Sequence, residues 1–349
     1  MPTHYFTVFD KNYAARGLAM IESLRRVSHG DIRVVVLGLD EDACRVSQPL
    51  ADEVLRIEDL GDAEFLAAKA NRSYEEFCWT CAPVLSDFVV RHANAGELVA
   101  YLDADLYFFS DPIVLLDEMG DGGNILIHPH RFAPDRLDWE KSSGTFNVGF
   151  VGFRICDEAK ACTTRWREQV LALCVKDPEK GLCGDQGYLN EWPDLYRGLC
   201  VMQNIGGGVA PWNVNAYRVQ QGPQVDGVPV TFFHFHQLRI IDCGQYRFAG
   251  AIPAIGYDFS PEIWRAFYHP YLHDLKRHAL ALEVSGIPLL SNRKCDLSEF
   301  RHCVDIHEIM PLLETWQMEV AWPVRAMAYI GRRAKRLWNG MKNRLLAIA

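Results

Sequence analysis

A chain of 349 residues with 49% hydrophobic and 23% charged side chains holds enough apolar material for a large core in one or two domains. Its formal net charge of −9 argues against broad nucleic-acid binding. The charge is unevenly spread: from Val320 to Ala349 stand Arg325, Arg332, Arg333, Lys335, Arg336, Lys342 and Arg344, with no acid, which marks a basic segment with a partner of its own. The cysteines number eleven and are scattered, so they read as reduced, mostly buried thiols of a cytosolic protein. Cys78-Trp-Thr-Cys81 is the one close pair. It lies in a helical pattern with no second pair at matching spacing, and reads as structural. Met1-Pro-Thr-His4 shows no signal peptide, and the lack of any apolar run of about 18 residues predicts no transmembrane helix.

Taken in order, Tyr5–Phe9 is a β-rich run, followed by Asp10-Lys-Asn-Tyr13 and a helical pattern over Ala14–Arg26 with Leu18, Ile21 and Leu24 on one face. Ile32–Leu39 and Val54–Ile57 read as further strands. Such strand–helix alternation predicts a parallel sheet with helices on both faces. The turn after the first strand has neither G-x-G-x-x-G nor a Walker lysine. A nucleotide bound there must be held by side chains such as Asp10, Asn12 and Tyr13. Tyr74–His92 reads as one helix, with Pro83 either kinking it or marking its true first turn.

Leu98–Leu102 reads as a buried parallel strand. It ends in Asp103-Ala104-Asp105, two carboxylates where open α/β sheets bind ligands. Apolar runs on both sides make a solvated turn a poor account of these acids. Buried carboxylates need a compensating charge, and a hard divalent cation that also bridges to phosphate supplies it. Asn124–His128 is the next strand. Pro129–Ser143 is loop-like and carries Arg131, Arg136 and Lys141, suited either to closing over an anion or to a solvated surface. Phe146–Phe153 is a strand that begins with Asn147 and contains two glycines, a mark of close approach. A helix follows over Cys156–Val175. Asp185 and Gln186 read both as a helix start capped by Asp185 and as partners for sugar hydroxyls. The glycines within Asn204–Asn213 either bring amides to a phosphate or make a bend. Thr231–Gln237 alternates strictly, placing His234 and His236 on one face. Two imidazoles beside an Asp-x-Asp pair suit Mn²⁺ or a similar ion.

The ordered set Phe9-Asp-Lys-Asn-Tyr13, Tyr101-Leu-Asp-Ala-Asp105, Phe146-Asn-Val-Gly149, Asp185-Gln186 and His234-Phe235 resembles the GT-A nucleotide-sugar glycosyltransferases, most nearly those of glycosyltransferase family 8, over about residues 4–240. The resemblance implies an α/β fold: a GT-A (Rossmann-like), mostly parallel sheet flanked by helices, with a helical C-terminal extension. It implies that Phe9, Asp10, Asn12, Tyr13 and the Asp103-Ala104-Asp105 turn bind the nucleotide. It further implies that Asp103, Asp105 and His234 hold Mn²⁺ or Mg²⁺, with His236 an alternative ligand, and that Asn147, Asp185 and Gln186 surround the donor sugar. Two stretches depart from the family pattern: Gly187 follows Gln186 in place of an acid, and Gln237-Leu238-Arg239 replaces a segment whose lysine meets the diphosphate.

The sequence therefore points to a metal-dependent glycosyltransferase of hexosyltransferase type. It moves sugar from a nucleoside diphosphate sugar, expected to be a UDP-sugar, to a hydroxyl on a glycan, a lipid-linked precursor or another acceptor. An inverting reaction needs a base, for which Asp185 is the candidate; a retaining one does not. Rival readings are a sugar-phosphate nucleotidyltransferase and a non-catalytic sugar-nucleotide binder. Residues 1–255 form the expected catalytic domain and 256–349 the extension, with a linker near 251–256 and a mostly helical stretch over Pro261–Val284, in which Tyr268 and Tyr271 pack onto the main domain. The last segment, from Pro323, has the composition of a basic amphipathic helix at an anionic membrane surface. A helix packed on its own domain or on a second subunit is the plainer account of it. The expected location is the cytoplasm, with peripheral contact at the inner face of the membrane through 320–349.

Overall fold

A computed structural model of the chain describes residues 2–177, 179, 182–220, 222–243, 246–251, 257, 259–287 and 303–305. The basic segment 320–349 and the linker residues 252–256 lie outside these. Strands β1 (Thr3–Phe9), β2 (Ile32–Gly38), β3 (Glu53–Arg56), β4 (Leu98–Leu102), β6 (Ile125–Pro129) and β7 (Phe146–Arg154), with a strand over Leu199–Val201, form one seven-stranded sheet. Its order is Leu199–Val201, β6, β7, β4, β1, β2, β3. Every pairing is parallel except those of β7 with β4 and with β6. This is the expected mixed α/β architecture, a mainly parallel sheet flanked by helices.

Alternation along each strand sends side chains to two faces. Tyr5, Val34, Val36, Ala100 and Leu102 join a core with helices α1 (Ala14–Val27) and α2 (Glu41–Ser47) and the later helix His269–Val284. Phe6, Val35, Leu37, Val99 and Tyr101 join a second core with α3 (Ala63–Asn71), α4 (Tyr74–His92) and the helix Asp157–Ala172. These strands read as nearly continuous apolar runs because both faces are covered. At Gly17 in α1, a Cβ would lie 2.3 Å from the Phe9 ring, so only glycine lets the helix sit this close to β1.

Several expectations are revised. Helix α4 starts at Tyr74, capped by the Ser73 side chain, and Pro83 lies within it and not at its first turn. The Thr231–Gln237 strand is shorter than its alternation suggests: it covers Phe232–His234 and pairs antiparallel with β5 (Leu106–Phe108). Gln237 has φ 61°, a left-handed backbone that a strand does not contain. Much of Pro129–Ser143 is helical, with turns over Pro134–Trp139 and Glu140–Ser143. Arg131 donates to the carbonyls of Gly207, Met202 and Asn204, so it secures the glycine-rich bend. Arg136 is buried over the rings of Trp139 and Tyr257. The glycine-rich loop itself is packed tightly: Gly208, at φ +81°, lies so close to His128 that a Cβ would meet its Nδ1 at 2.5 Å.

Tyr268 and Tyr271 do pack the C-terminal helix onto the sheet domain. Tyr271 stacks on Phe235 at 3.9 Å, and Tyr268 meets Phe233 and Phe235 edge-on. Beyond Leu238 the chain forms an antiparallel pair, Leu238–Cys243 with Tyr246–Ala251, to which Cys303–Asp305 adds a third strand. Among the described residues no helix is long and apolar enough to cross a membrane. Cys44, Cys78, Cys81, Cys156, Cys162, Cys174, Cys183 and Cys200 are free thiols.

Candidate active site

The site forms where the carboxyl ends of β1 and β4 meet the start of β7. Because β7 runs antiparallel to β4, its first residues lie beside Asp103, whose amide donates to the Gly149 carbonyl at 2.9 Å. The short ribbon of β5 with Phe232–His234 supplies the third side. His234 pairs with Leu106, and the Phe235 amide donates to the Asp105 carbonyl at 2.9 Å. The His234 Nε2 thereby lies 3.1 Å from Asp105 Oδ1 and 3.7 Å from Asp103 Oδ2. One ligand atom from each of these three residues falls within 4.8 Å of the others. Two carboxylates and an imidazole at this spacing fit a divalent ion of the Mn²⁺ or Mg²⁺ class.

The two carboxylates and the imidazole shift one another. Burial pushes the Asp103 carboxyl up to about 6, with His234 opposing and Asp105 adding to the rise. Burial acts the same way on Asp105, but His234, His236 and Arg16 outweigh it and hold that carboxyl below its usual range. Burial would lower His234, yet Asp105 and Asp103 raise it. The His234 Nδ1 is buried without a hydrogen-bond partner. His236 stands apart from this group. Its Nδ1 lies 3.0 Å from the Tyr257 hydroxyl, and burial together with the His234 charge lowers it to about 3.

Asn147 and Gln186 meet directly. The Asn147 Nδ2 donates to Gln186 Oε1 at 2.9 Å and approaches His130 Nε2 at 3.3 Å, while its Oδ1 accepts the Gly149 amide at 2.9 Å. Gln186 Nε2 donates to the Ser143 carbonyl. Burial lowers His130 to about 4, so its ring is neutral and can accept. Asp185 caps no helix with its side chain. It is buried, and burial with the nearby Asp103 charge raises its carboxyl well above the ordinary range. Trp212 braces three imidazoles, with its ring 5.2 Å from His234 and 5.3 Å from both His236 and His130.

On the other side of Asp103-Ala104-Asp105 lies the β1–α1 loop. Asp10 is buried and accepts from Asn12 Nδ2 at 2.6 Å, the Tyr13 amide at 3.0 Å and the Tyr74 hydroxyl at 2.6 Å. Asn12 Oδ1 is buried with no hydrogen-bond partner. Tyr13 is 38% exposed, enough to offer its ring to a ligand, whereas the Phe9 ring is committed to the core against Gly17.

Sequence reasoning missed Tyr74, His130, Trp212 and Arg16. The Tyr74–Asp10 bond joins residues 64 apart, and no local pattern announces it. Arg16 did carry a signal: it is the sole charge in the small, apolar run Ala14–Ile21.

The fold and site define a mixed α/β protein with a carboxylate–imidazole centre at the carboxyl end of a mainly parallel sheet. No model of a known family matches the chain. Among curated proteins, two from Bacillus subtilis (strain 168) are similar: uncharacterized protein YfnD, 29% identical over 78% of this chain and 89% of its own, and uncharacterized protein YfnF, 30% identical over 71% and 85%. The chain belongs to the family of YfnF. Among solved structures, similarity extends to mouse xyloside xylosyltransferase 1 in its apo form, with TM-score 0.45, 14% identity, and 68% of this chain and 98% of that one covered. It extends also to the galactosyltransferase LgtC in complex with donor and acceptor sugar analogs, with TM-score 0.44, 17% identity and coverage of 75% and 99%.

Proposed function

We propose that this protein is a metal-dependent glycosyltransferase that takes sugar from a nucleoside diphosphate sugar, with UDP-sugar the expected donor, and passes it to a hydroxyl of a glycan or lipid-linked acceptor. The observation that carries this reading is the convergence of Asp103, Asp105 and His234 at the carboxyl end of β4, beside the β1–α1 loop. In this reading Asp103, Asp105 and His234 hold Mn²⁺ or Mg²⁺. The bound ion would supply Lewis-acid stabilisation to the departing diphosphate.

The β1–α1 loop binds the nucleoside. Asn12 Oδ1 offers an acceptor with no donor of its own, and the Tyr13 ring offers a face. Asn147 and Gln186 face the donor sugar as one linked unit. Asp185, a buried carboxyl that burial and the Asp103 charge raise, stands with them on the sugar side in this reading. Residues 1–255 make up the catalytic unit in this reading.

Calorimetric titration with UDP and with GDP, in Mn²⁺ and in EDTA, tests the proposal. Binding of one nucleotide that is abolished by EDTA and reduced more than about a hundredfold by Asp105→Ala is expected, a loss beyond what an outer partner of a metal ligand brings. Absence of metal-dependent binding to any nucleoside diphosphate would overturn it. Slow metal-dependent hydrolysis of the matching nucleotide sugar then separates an enzyme from a non-catalytic binder.

A further inference from the structure

Arg16 occupies an unusual place for an arginine. It is 2% exposed in the first turn of α1. Its guanidinium donates to the Asn12 carbonyl at 3.3 Å and the Leu238 carbonyl at 3.1 Å and lies 4.6 Å from the Tyr13 ring centroid. Among the described residues it makes no ion pair. A buried cation held only by carbonyls and a ring is costly, and such a charge persists where something else repays its desolvation. Two things in the structure bear on what that is. Arg16 bridges the loop that carries Asn12 and Tyr13 to the chain just past His234, so it stands between the two halves of the candidate site. Its charge also reaches Asp105.

We infer that Arg16 is an anion-binding residue of this site, its charge serving a phosphoryl group of a ligand bound beside Asp105. The inference rests on the metal–nucleotide reading above and assigns it a residue that neither motif nor spacing had marked. With no ion present, the guanidinium helps offset Asp105. Once a divalent cation takes over that task, the two positive centres stand in excess of the two carboxylates. The phosphoryl oxygens of a diphosphate would offset that excess, and the three guanidinium N–H groups not donated to Asn12 and Leu238 are suited to them.

This makes two measurements move in opposite directions. Arg16→Gln keeps a donor for the two carbonyls and removes the charge. Mn²⁺ alone should bind this variant about threefold more tightly than wild type, because a nearby like charge is gone. Inorganic pyrophosphate in saturating Mn²⁺ should bind about tenfold more weakly, as expected for losing a charge-assisted hydrogen bond. Uridine, which carries no phosphate, should lose far less than pyrophosphate does, and Arg16→Lys should restore much of the pyrophosphate binding. A merely structural Arg16 would weaken all three ligands together. That result, or unchanged pyrophosphate binding, would overturn the inference. If Arg16→Gln does not fold, as judged by its circular dichroism, Arg16→His measured at pH 8, where a neutral imidazole keeps a donor without the charge, carries the same comparison. Wild type that binds neither Mn²⁺ nor pyrophosphate would refute the site reading itself, which is distinguishable from failure of Arg16 alone.

Discussion

At the scale of single residues, the candidate site depends on one position without a side chain. A Cβ at Gly149 would meet Asn147 Oδ1 at 2.7 Å and His234 Nδ1 at 2.8 Å. The glycine lets β7 pass between a proposed metal ligand and a proposed sugar ligand. Gly149→Ala should force both away, at a cost of about 1–3 kcal/mol for overpacking. Urea unfolding should show that loss, and Mn²⁺ titration should show weaker binding in the same variant; unchanged Mn²⁺ affinity would mean that His234 does not need this geometry. The acids of Asp-x-Asp were legible in the sequence because an apolar run delivers them to a strand end. Alternation places His234 and His236 on one face, and there only the family resemblance favoured His234, with His236 the alternative. Tertiary contacts separate them, as the strand stops at His234 and the Tyr257 hydroxyl engages His236.

At the scale of elements, the β1–α1 loop owes its shape to a helix far along the chain. Tyr74, the first residue of α4, reaches across to Asp10, which also receives Asn12 and the Tyr13 amide. Removing the hydroxyl by Tyr74→Phe should cost about 1 kcal/mol of stability. It should also weaken uridine binding several-fold while leaving Mn²⁺ affinity unchanged, because Asp103, Asp105 and His234 belong to other elements. Equal weakening of both ligands would show that α4 supports the whole site and not the loop. Elements were well read from sequence wherever both faces of a strand are apolar, as in β1, β2 and β4. The stretch Pro129–Ser143 was misjudged because its helical turns are anchored by distant groups, such as Trp212, to whose carbonyl Ala133 donates, and carry no apolar period of their own.

At the scale of the whole molecule, the helix His269–Val284 is fastened to α1 and β5 by charges as well as aromatic rings. Arg26 bonds Asp274 at 3.1 Å and the Tyr107 hydroxyl at 2.6 Å, and Tyr107 bonds Asp274 at 2.7 Å. Alongside, Glu22 meets both Arg277 and His278, the latter at 2.6 Å. Burial lowers His278 below its ordinary 6.5, against the pull of Glu22. Burial would raise Glu22 and Asp274, but hydrogen bonds to Arg277 and His278, and to Tyr107, His273 and Arg26, leave both below their ordinary values of 4.5 and 3.8. All three signs agree. A group whose folded value is depressed stabilises the fold above its unfolded value and loses that contribution as pH falls through the folded one. The docked helix should therefore weaken from about pH 6.5 downward, first through His278. In thermal melts, His278→Gln should lose less Tm between pH 7 and pH 5 than wild type does; an equal or steeper loss would remove His278 from the account.

By itself the sequence determined the alternation of strands and helices, the acids at the end of β4 and the aromatic stripe of the C-terminal helix. These features are written in short-range order: apolar periodicity, a strand end, a run of rings. Only the tertiary structure shows that His234 and not His236 lies against both carboxylates, that Asn147 and Gln186 are hydrogen-bonded to each other, that Asp185 is buried without capping a helix through its side chain, and that Arg16 lies buried between the β1–α1 loop and Leu238. Each of these depends on an antiparallel neighbour or a contact from a remote element. Such contacts form only when the sheet closes, and no local pattern of residue types encodes them.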